Sequence, residues 1–371
     1  MYYADNFYKE FRDEVAFHEY LDEVEGRADW FRVPAKKLTV LEASANNLHC
    51  TAVEGANMED ILADTRLNTN LCLKFNDQVY PLGITAIGTI KGRARINGSA
   101  LSEVPTEVLA NILNECLKVS KGDALLRLFE GKIRAVLSGD KKDYAVIPMP
   151  ELFMVGSAYI NDYRDNEFIY GYADHYSATL TWKIADNKLT EVYRELLKEH
   201  GKELKGYLFA FVRITTSDVG ASGANIFYSL MTGQQTLILG EAMKIRHMGS
   251  RGIEDFSNNM ENIFECYKQR LKDLGKLYDI PVKYPANVMI QIMDRQGFSK
   301  KLIAETVEHF KKVFGEEPCT AYEVYCGICE TVFFTKSNGG NIKAVMQIEE
   351  KIARCMSMRW REYDIPGDIK Y

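Results

Sequence analysis

The stretch Tyr176-Ser-Ala-Thr-Leu-Thr-Trp-Lys183 decides the fold. Its apolar residues alternate with Ser, Thr and Lys, and this period of two predicts a strand with one buried face and one solvent face. Further strands are predicted at residues 207–214, 224–230 and 235–245, with a turn at Thr232-Gly233. Successive strands joined by short turns favour an antiparallel sheet.

Beyond Gly252 the hydrophobic period becomes helical. Five helices are predicted there, at residues 253–274, 286–294, 299–314, 321–335 and 341–360. The sequence therefore predicts an α+β fold, with a mostly antiparallel sheet and packed helices followed by a C-terminal helical subdomain. The predicted division is residues 1–250 and residues 251–371, and the first part opens with an acidic helix over residues 5–24.

The segment between these ends mixes both patterns. The clearest helix has an apolar stripe over residues 108–117, with Pro105 in its first turn. Residues 84–90 are rich in β-branched side chains and are predicted as a strand. Residues 131–137 are also predicted as a strand. Residues 124–129 are predicted as a short helix.

Charge is distributed unevenly along the 371 residues. The chain has 46 Lys and Arg against 52 Asp and Glu, a net charge of −6, which excludes a uniformly basic nucleic-acid coat. Residues 1–62 hold 6 basic and 13 acidic residues, a balance of −7, whereas residues 88–142 hold 10 and 6, a balance of +4. One fold can therefore present two surfaces of opposite sign, although solvation alone also explains such an asymmetry.

No linear motif for catalysis is present. The six His are isolated, and neither a phosphate-binding loop nor a dinucleotide fingerprint occurs. Cys326 and Cys329 have the spacing of zinc ligands, but without a second pair a buried helix face is the better interpretation. Ser222 lies in a glycine-rich turn that misses the nucleophile-elbow pattern by one position. We predict no catalytic residues, no metal and no cofactor.

Basic residues recur at alternate positions of predicted strands. Such residues project from one face, and neighbouring strands would combine them into a surface for phosphates, with aromatic side chains for base stacking. The alternative is an ordinary solvated sheet face whose edges are protected by Lys and Arg. Lys91, Arg93 and Arg95 form the first group of such alternating residues. The predicted nucleic-acid-binding residues are Arg93, Arg95, Lys132, Arg134, Lys244, Arg246 and Arg251.

Two stretches carry a resemblance to a known family. Residues 131–138, followed by Tyr144 and residues 148–152, form one block, and residues 214–220 form the other. Over residues 70–275 the chain resembles the phage/plasmid-like proteins catalogued as domain of unknown function family 932. Where members usually show a Cys-Asn-Gly turn, this chain has Met231-Thr-Gly233. The resemblance implies carriage on a phage, plasmid or integrated element, a cytoplasmic setting and no established activity.

Three functions are consistent with these patterns. The leading hypothesis is a non-enzymatic accessory protein of mobile-element DNA metabolism that binds single-stranded DNA through the basic sheet face. The second is a protein-binding factor that inhibits or recruits a host replication or defence protein through the acidic N-terminal region. The third is an enzyme that uses scattered carboxylates such as Asp174 and Asp218. We expect a cytoplasmic protein without a secretory signal or membrane segment, and an oligomer is compatible with the sequence.

Overall fold

The protein has an α+β fold with antiparallel sheets, as predicted, with 47% helix and 23% strand. The structure is a computed structural model and describes residues 1–46, 48–140, 142–162, 165–204, 206–233, 235–245 and 252–369. None of the helices in these ranges has the length and apolar character needed to cross a bilayer.

The elements follow one another in chain order. The strands are β1 (Tyr8–Phe11), β2 (Asp29–Pro34), β3 (Thr39–Glu42), β4 (Leu71–Phe75), β5 (Gln78–Pro81), β6 (Asp123–Phe129), β7 (Lys132–Ser138), β8 (Asn166–Asp174), β9 (Ala178–Ile184), β10 (Leu208–Thr216), β11 (Ala224–Thr232), β12 (Gln235–Ile238), β13 (Met243–Ile245), β14 (Pro281–Val282) and β15 (Cys319–Thr320). The helices are α1 (Glu14–Arg27), α2 (Met58–Asn68), α3 (Ile84–Arg93), α4 (Thr106–Lys118), α5 (Met149–Asn161), α6 (Asn187–Glu199), α7 (Gly252–Glu261), α8 (Ile263–Gly275), α9 (Pro285–Arg295), α10 (Lys300–Phe314), α11 (Ala321–Cys329), α12 (Thr331–Ser337) and α13 (Ile342–Cys355).

The large sheet has seven antiparallel strands in the order β1-β8-β9-β10-β11-β12, with β13 also paired to β11. The predicted solvent face of β9 is wrong, because Thr179 and Thr181 are only 0% and 4% exposed. Leu180 and Trp182 are fully buried on the opposite face, as predicted. That face packs against α1 and α5, where the rings of Phe17 and Phe153 meet edge to face with centroids 5.0 Å apart. A Cβ at Gly156 of α5 would lie 2.5 Å from Ile214 Cδ1, so glycine permits this close approach of helix and sheet.

A second hydrophobic core lies within residues 29–138, which we call the small unit. Its two three-stranded sheets, β2-β6-β7 and β3-β4-β5, pack with α3 and α4. The other core extends across residue 250, since Leu237 and Ile238 of the large sheet share it with Tyr325 of α11. The Tyr325 hydroxyl donates to the Ile238 carbonyl over 2.8 Å. The predicted boundary at residue 250 therefore lies inside one continuous core.

The single elements predicted at residues 235–245, 253–274 and 321–335 are each divided in two, as β12 and β13, α7 and α8, and α11 and α12. Three further local predictions differ from the structure in the kind of element. Residues 84–93 form helix α3 instead of a strand, because the Thr85 hydroxyl donates to the Arg134 carbonyl (2.6 Å) and packing against β7 overrides the β-branched composition. Residues 123–129 form strand β6 instead of a helix, paired on both sides with β2 and β7. The predicted helix over residues 5–24 is divided into β1 and α1, and Asp13 caps α1 by accepting from the Ala16 amide (2.8 Å).

Candidate nucleic-acid interface

Lys132 and Arg134 are not on the surface. Their exposed fractions are 0% and 1%, and both side chains contact the Asp5 carboxylate, Lys132 at 3.2 Å and Arg134 at 2.6 Å. Lys132 also pairs with Asp64 of α2. A phosphate group cannot reach cations that are buried and already neutralised, so the prediction that these two residues bind nucleic acid is wrong. We call Asp5, Asp64, Lys132 and Arg134 the ionic cluster.

The ionic cluster attaches the N-terminal residues to both cores. Arg134 donates to the Tyr3 carbonyl over 2.8 Å, and Asp5 accepts from the Ile84 amide over 3.2 Å at the start of α3. His175, in the turn between β8 and β9 of the large sheet, hydrogen-bonds through Nε2 to the Ala4 carbonyl (2.8 Å). Burial, together with the Arg134 charge, lowers the pKa of His175 to about 2, so this imidazole is neutral and donates the proton.

Arg93 and Arg95 do not alternate along a strand. Arg93 is the last residue of α3, half-buried, and donates to the Lys121 carbonyl in the loop between α4 and β6. Arg95 is exposed and has a left-handed backbone, with φ of 57°. Burial and the adjacent Arg95 charge lower the pKa of Arg93. Both residues remain near the surface, but they extend from a helix end and a turn.

The last three predicted residues are Lys244, Arg246 and Arg251. Lys244 is exposed on β13, where its ammonium lies 3.8 Å from Glu241. Arg246 and Arg251 are outside the residues that the structure describes. Because β7 and β13 belong to different sheets, the predicted continuous basic sheet face is not formed by Lys132, Arg134 and Lys244.

Two neighbouring cavities of about 780 and 920 Å³ share the lining residues Tyr176 and Ala221, and only the first is also lined by described residues of the small unit. The first is bounded by α3, the start of α4 and residues 219–221. The second is bounded by the end of the large sheet and by α13. We call the two cavities together the inter-unit groove.

Cations line both parts of the inter-unit groove. Among the described residues they are Lys91 in the first cavity, and Lys244, Lys343 and Arg354 in the second. Lys91 and Arg354 contact neutral acceptors, Ser102 Oγ at 3.4 Å and Gln296 Oε1 at 3.1 Å, so their charges are not neutralised by these contacts.

Lys343 and Lys244 differ from this pair because each faces a carboxylate. Lys343 pairs with the buried carboxylate of Asp174 over 2.6 Å. Lys244 and Glu241 form an ion pair between exposed side chains. Such a pair contributes little to stability, so another anion can replace Glu241 as the partner of Lys244. Glu350 also lines the second cavity. The charged side chains that the structure describes in the groove are therefore four cations and three carboxylates, which leaves a balance of one positive charge. The cations are Lys91, Lys244, Lys343 and Arg354, and the carboxylates are Asp174, Glu241 and Glu350.

Tyrosine rings lie at the junction of the two cavities. Tyr176 is 39% exposed, and the Lys343 ammonium lies 5.4 Å from its ring centroid. Tyr172 stacks on the exposed ring of Tyr8 with centroids 6.2 Å apart, and its hydroxyl donates to Asp174 over 3.0 Å. Burial and the Asp174 charge raise the pKa of Tyr172. An exposed ring with a cation on its face can stack an unpaired base.

The sequence did contain a signal for the α13 residues. Lys343, Gln347, Glu350 and Arg354 follow one another at spacings of four, three and four, which places them on one helix face. All four line the second cavity. A polar helix stripe is normally attributed to solvent, so only the position of α13 against the sheet shows that this face lines a cavity.

The residues considered for other chemistry have structural partners. Asp218 pairs with the buried guanidinium of Arg127, and Asp174 holds Lys343. Cys326 and Cys329 are buried in α11, which confirms the helix interpretation of that segment. Within the described ranges, no group of three or more His, Cys, Asp or Glu side chains is arranged to hold a metal ion.

The acidic N-terminal region is part of the fold. Residues 1–62 contribute β1, α1, β2, β3 and the first turn of α2. Several of its carboxylates have internal partners: Asp5 is in the ionic cluster, and Glu14 accepts from Ser157 and from Trp182 Nε1 (3.2 Å). Exposed carboxylates remain on α1, so contact with a host protein stays a prediction.

Comparison of the chain with protein-family models, curated proteins and solved structures finds no match. The resemblance to the phage/plasmid-like proteins therefore stays a prediction that rests on the two sequence blocks.

Proposed function

We propose that this protein binds single-stranded DNA in the inter-unit groove, as a non-enzymatic accessory factor of mobile-element DNA metabolism. The observation that carries the proposal is the order of side chains along the groove. Lys91 lies in the first cavity, Arg354 in the second, and the exposed ring of Tyr176 borders both. The mobile-element setting is supported by the resemblance of residues 131–152 and 214–220 to the phage/plasmid-like proteins.

The chemistry of the groove suits an unpaired strand. Phosphates attract the Lys91 and Arg354 charges, which have only neutral hydrogen-bond partners, and counterions released from the strand favour association. A base stacked on Tyr176 adds sequence-independent binding, because every base has an aromatic face. Arg93 and Arg95 line neither cavity, and we keep them as candidate contacts for a strand that extends beyond the groove.

The test is fluorescence anisotropy of a labelled oligodeoxythymidylate titrated with protein at several salt concentrations. The double variant Lys91→Glu/Arg354→Glu is expected to bind at least tenfold more weakly than the natural chain. Its salt dependence, the slope of log K against log salt, should fall by about 1.4, since each phosphate contact to a single strand contributes about 0.7.

The matched control is Lys118→Glu/Lys312→Glu, which reverses two exposed cations that do not line the groove. Both double variants change the net charge by the same amount, so a general electrostatic effect lowers both affinities equally. Selective weakening in the groove variant supports the proposal. Equal weakening, or a natural chain that does not bind the oligonucleotide at low salt, contradicts it.

A further inference from the structure

A third cavity lies beneath α13, on the outer face of the large sheet, and shares Phe227 with the second cavity of the inter-unit groove. Its volume is about 230 Å³, and we call it the α13 cavity. Apolar side chains from the sheet and the helix form most of its wall, among them Phe211, Met231, Ile342 and Val345. The exposed Lys336 of α12 marks its solvent side. The volume is that of about eight water molecules, so the cavity has room for one small organic molecule.

A row of four side chains crosses the sheet at this cavity. Tyr170 of β8 pairs with Thr181 of β9, Thr181 with Arg213 of β10, and Arg213 with Phe227 of β11. All four line the cavity. Paired residues of neighbouring strands lie on the same face of a sheet, so the pattern places a guanidinium in the middle of an otherwise uncharged row.

Arg213 is held firmly. It is 4% exposed, its guanidinium lies 4.2 Å from the Phe227 ring centroid, and one of its terminal nitrogens pairs with Glu349 of α13. Tyr170 also hydrogen-bonds to the guanidinium, but the Nε atom is buried without an acceptor in the described part of the chain. The Nε atoms of Arg93, Arg127 and Arg134 are buried without an acceptor as well, and Arg213 differs from them because it lines a cavity of about 230 Å³. A buried donor beside such a cavity is a position where an acceptor from outside would be stabilised.

We propose that the α13 cavity binds a small uncharged molecule with an apolar body and one carbonyl oxygen, which accepts from Arg213 Nε. The Glu349 carboxylate already neutralises the guanidinium, and the remaining cation of the lining, Lys336, is exposed to solvent. A second carboxylate beside Arg213 would therefore be a buried like charge next to Glu349. A neutral carbonyl satisfies the donor without adding charge. The apolar body lies between Phe211 and Val345, where burial removes it from water.

Ligand-observed NMR and isothermal titration with phenylacetamide test this proposal on the full chain. Phenylacetate has the same ring and the same reach but carries a charge, so it is the matched probe for the ligand class. We expect phenylacetamide to bind at least tenfold more tightly than phenylacetate. Equal or tighter binding of phenylacetate contradicts the proposed uncharged class, and absence of phenylacetamide binding at millimolar concentration contradicts the site.

Cavity-filling variants test the location. Ser229 of β11 lines the cavity, so Ser229→Leu should weaken phenylacetamide binding at least tenfold, whereas Ser229→Ala, which leaves the space open, should change it less than twofold. Thr236→Leu on the short strand β12 provides a second filling variant if Ser229→Leu does not fold. Binding that survives in a folded filling variant contradicts this location. None of these substitutions touches the inter-unit groove, so DNA binding is measured independently.

Discussion

Replacing Asp5 by Asn removes the charge at the centre of the ionic cluster while keeping the size of the side chain. The Asp5 carboxylate is 1% exposed and contacts both Lys132 (3.2 Å) and Arg134 (2.6 Å). After the substitution Lys132 keeps only Asp64, and Arg134 keeps the carbonyls of residues 2 and 3. Breaking a buried ion pair costs about 3–5 kcal/mol, because a charge is left buried without a counterion.

The measurement is urea unfolding followed by circular dichroism, at neutral pH and fixed ionic strength. Asp5→Asn should lower the free energy of unfolding by about 3–5 kcal/mol, a large part of the total of about 5–15 kcal/mol that is typical of folded proteins. The matched control is Glu191→Gln, which removes the same kind of charge from an exposed pair with Arg194 and should leave the midpoint unchanged. A loss below about 1 kcal/mol for Asp5→Asn would refute the burial of these charges.

Three further outcomes follow from the same structure. His175, with a pKa of about 2 in the folded chain and about 6.5 when unfolded, takes up a proton mainly on unfolding, so stability is complete above pH 6.5 and falls below it. Between pH 6.5 and pH 5 the free energy of unfolding, measured by urea titration, should fall by about 2 kcal/mol less in His175→Gln than in the natural chain. Identical pH profiles of the two proteins would contradict this. Arg213→Met alone should lower the free energy of unfolding by about 3–5 kcal/mol, and the double variant Arg213→Met/Glu349→Leu should lower it clearly less. A double-mutant cycle of unfolding free energies measures this difference, and additive losses would show that the two residues are not coupled. The hydrogen bond from Cys72 and the Arg66 charge lower the pKa of the Cys50 thiol, whereas burial raises the pKa of the two α11 thiols. Cys50 should therefore react with iodoacetamide before Cys326 and Cys329, as measured by mass spectrometry of the labelled peptides at early time points. The reverse order would refute this assignment.

Elements with a long, regular hydrophobic pattern were predicted well from the sequence. The strands expected at residues 207–214 and 224–230 are β10 (Leu208–Thr216) and β11 (Ala224–Thr232), and the apolar stripe at residues 108–117 lies in α4. Such patterns are informative because one face of each element is buried against the core. Residues 84–90 gave the wrong element because contacts with β7, remote in sequence, determine their conformation.

The positions of the charges were harder to predict. Alternation shows correctly that Lys132 and Arg134 lie together, since both contact Asp5, but it does not show that they are buried. Their counterions come from Asp5 and Asp64, more than 60 residues away, and no local pattern indicates that these carboxylates reach β7. For the same reason the inter-unit groove, which combines α3 with α13, has no linear signature.

Photo-crosslinking tests the central claim, that the inter-unit groove holds single-stranded DNA, most directly. An oligodeoxythymidylate with 5-iodouracil is irradiated with the natural chain, and the adduct is located by mass spectrometry after proteolysis. The account predicts the main adduct on Tyr176, with a yield that falls as salt is raised. Adducts confined to surfaces outside the groove, or no adduct at low salt, would contradict it.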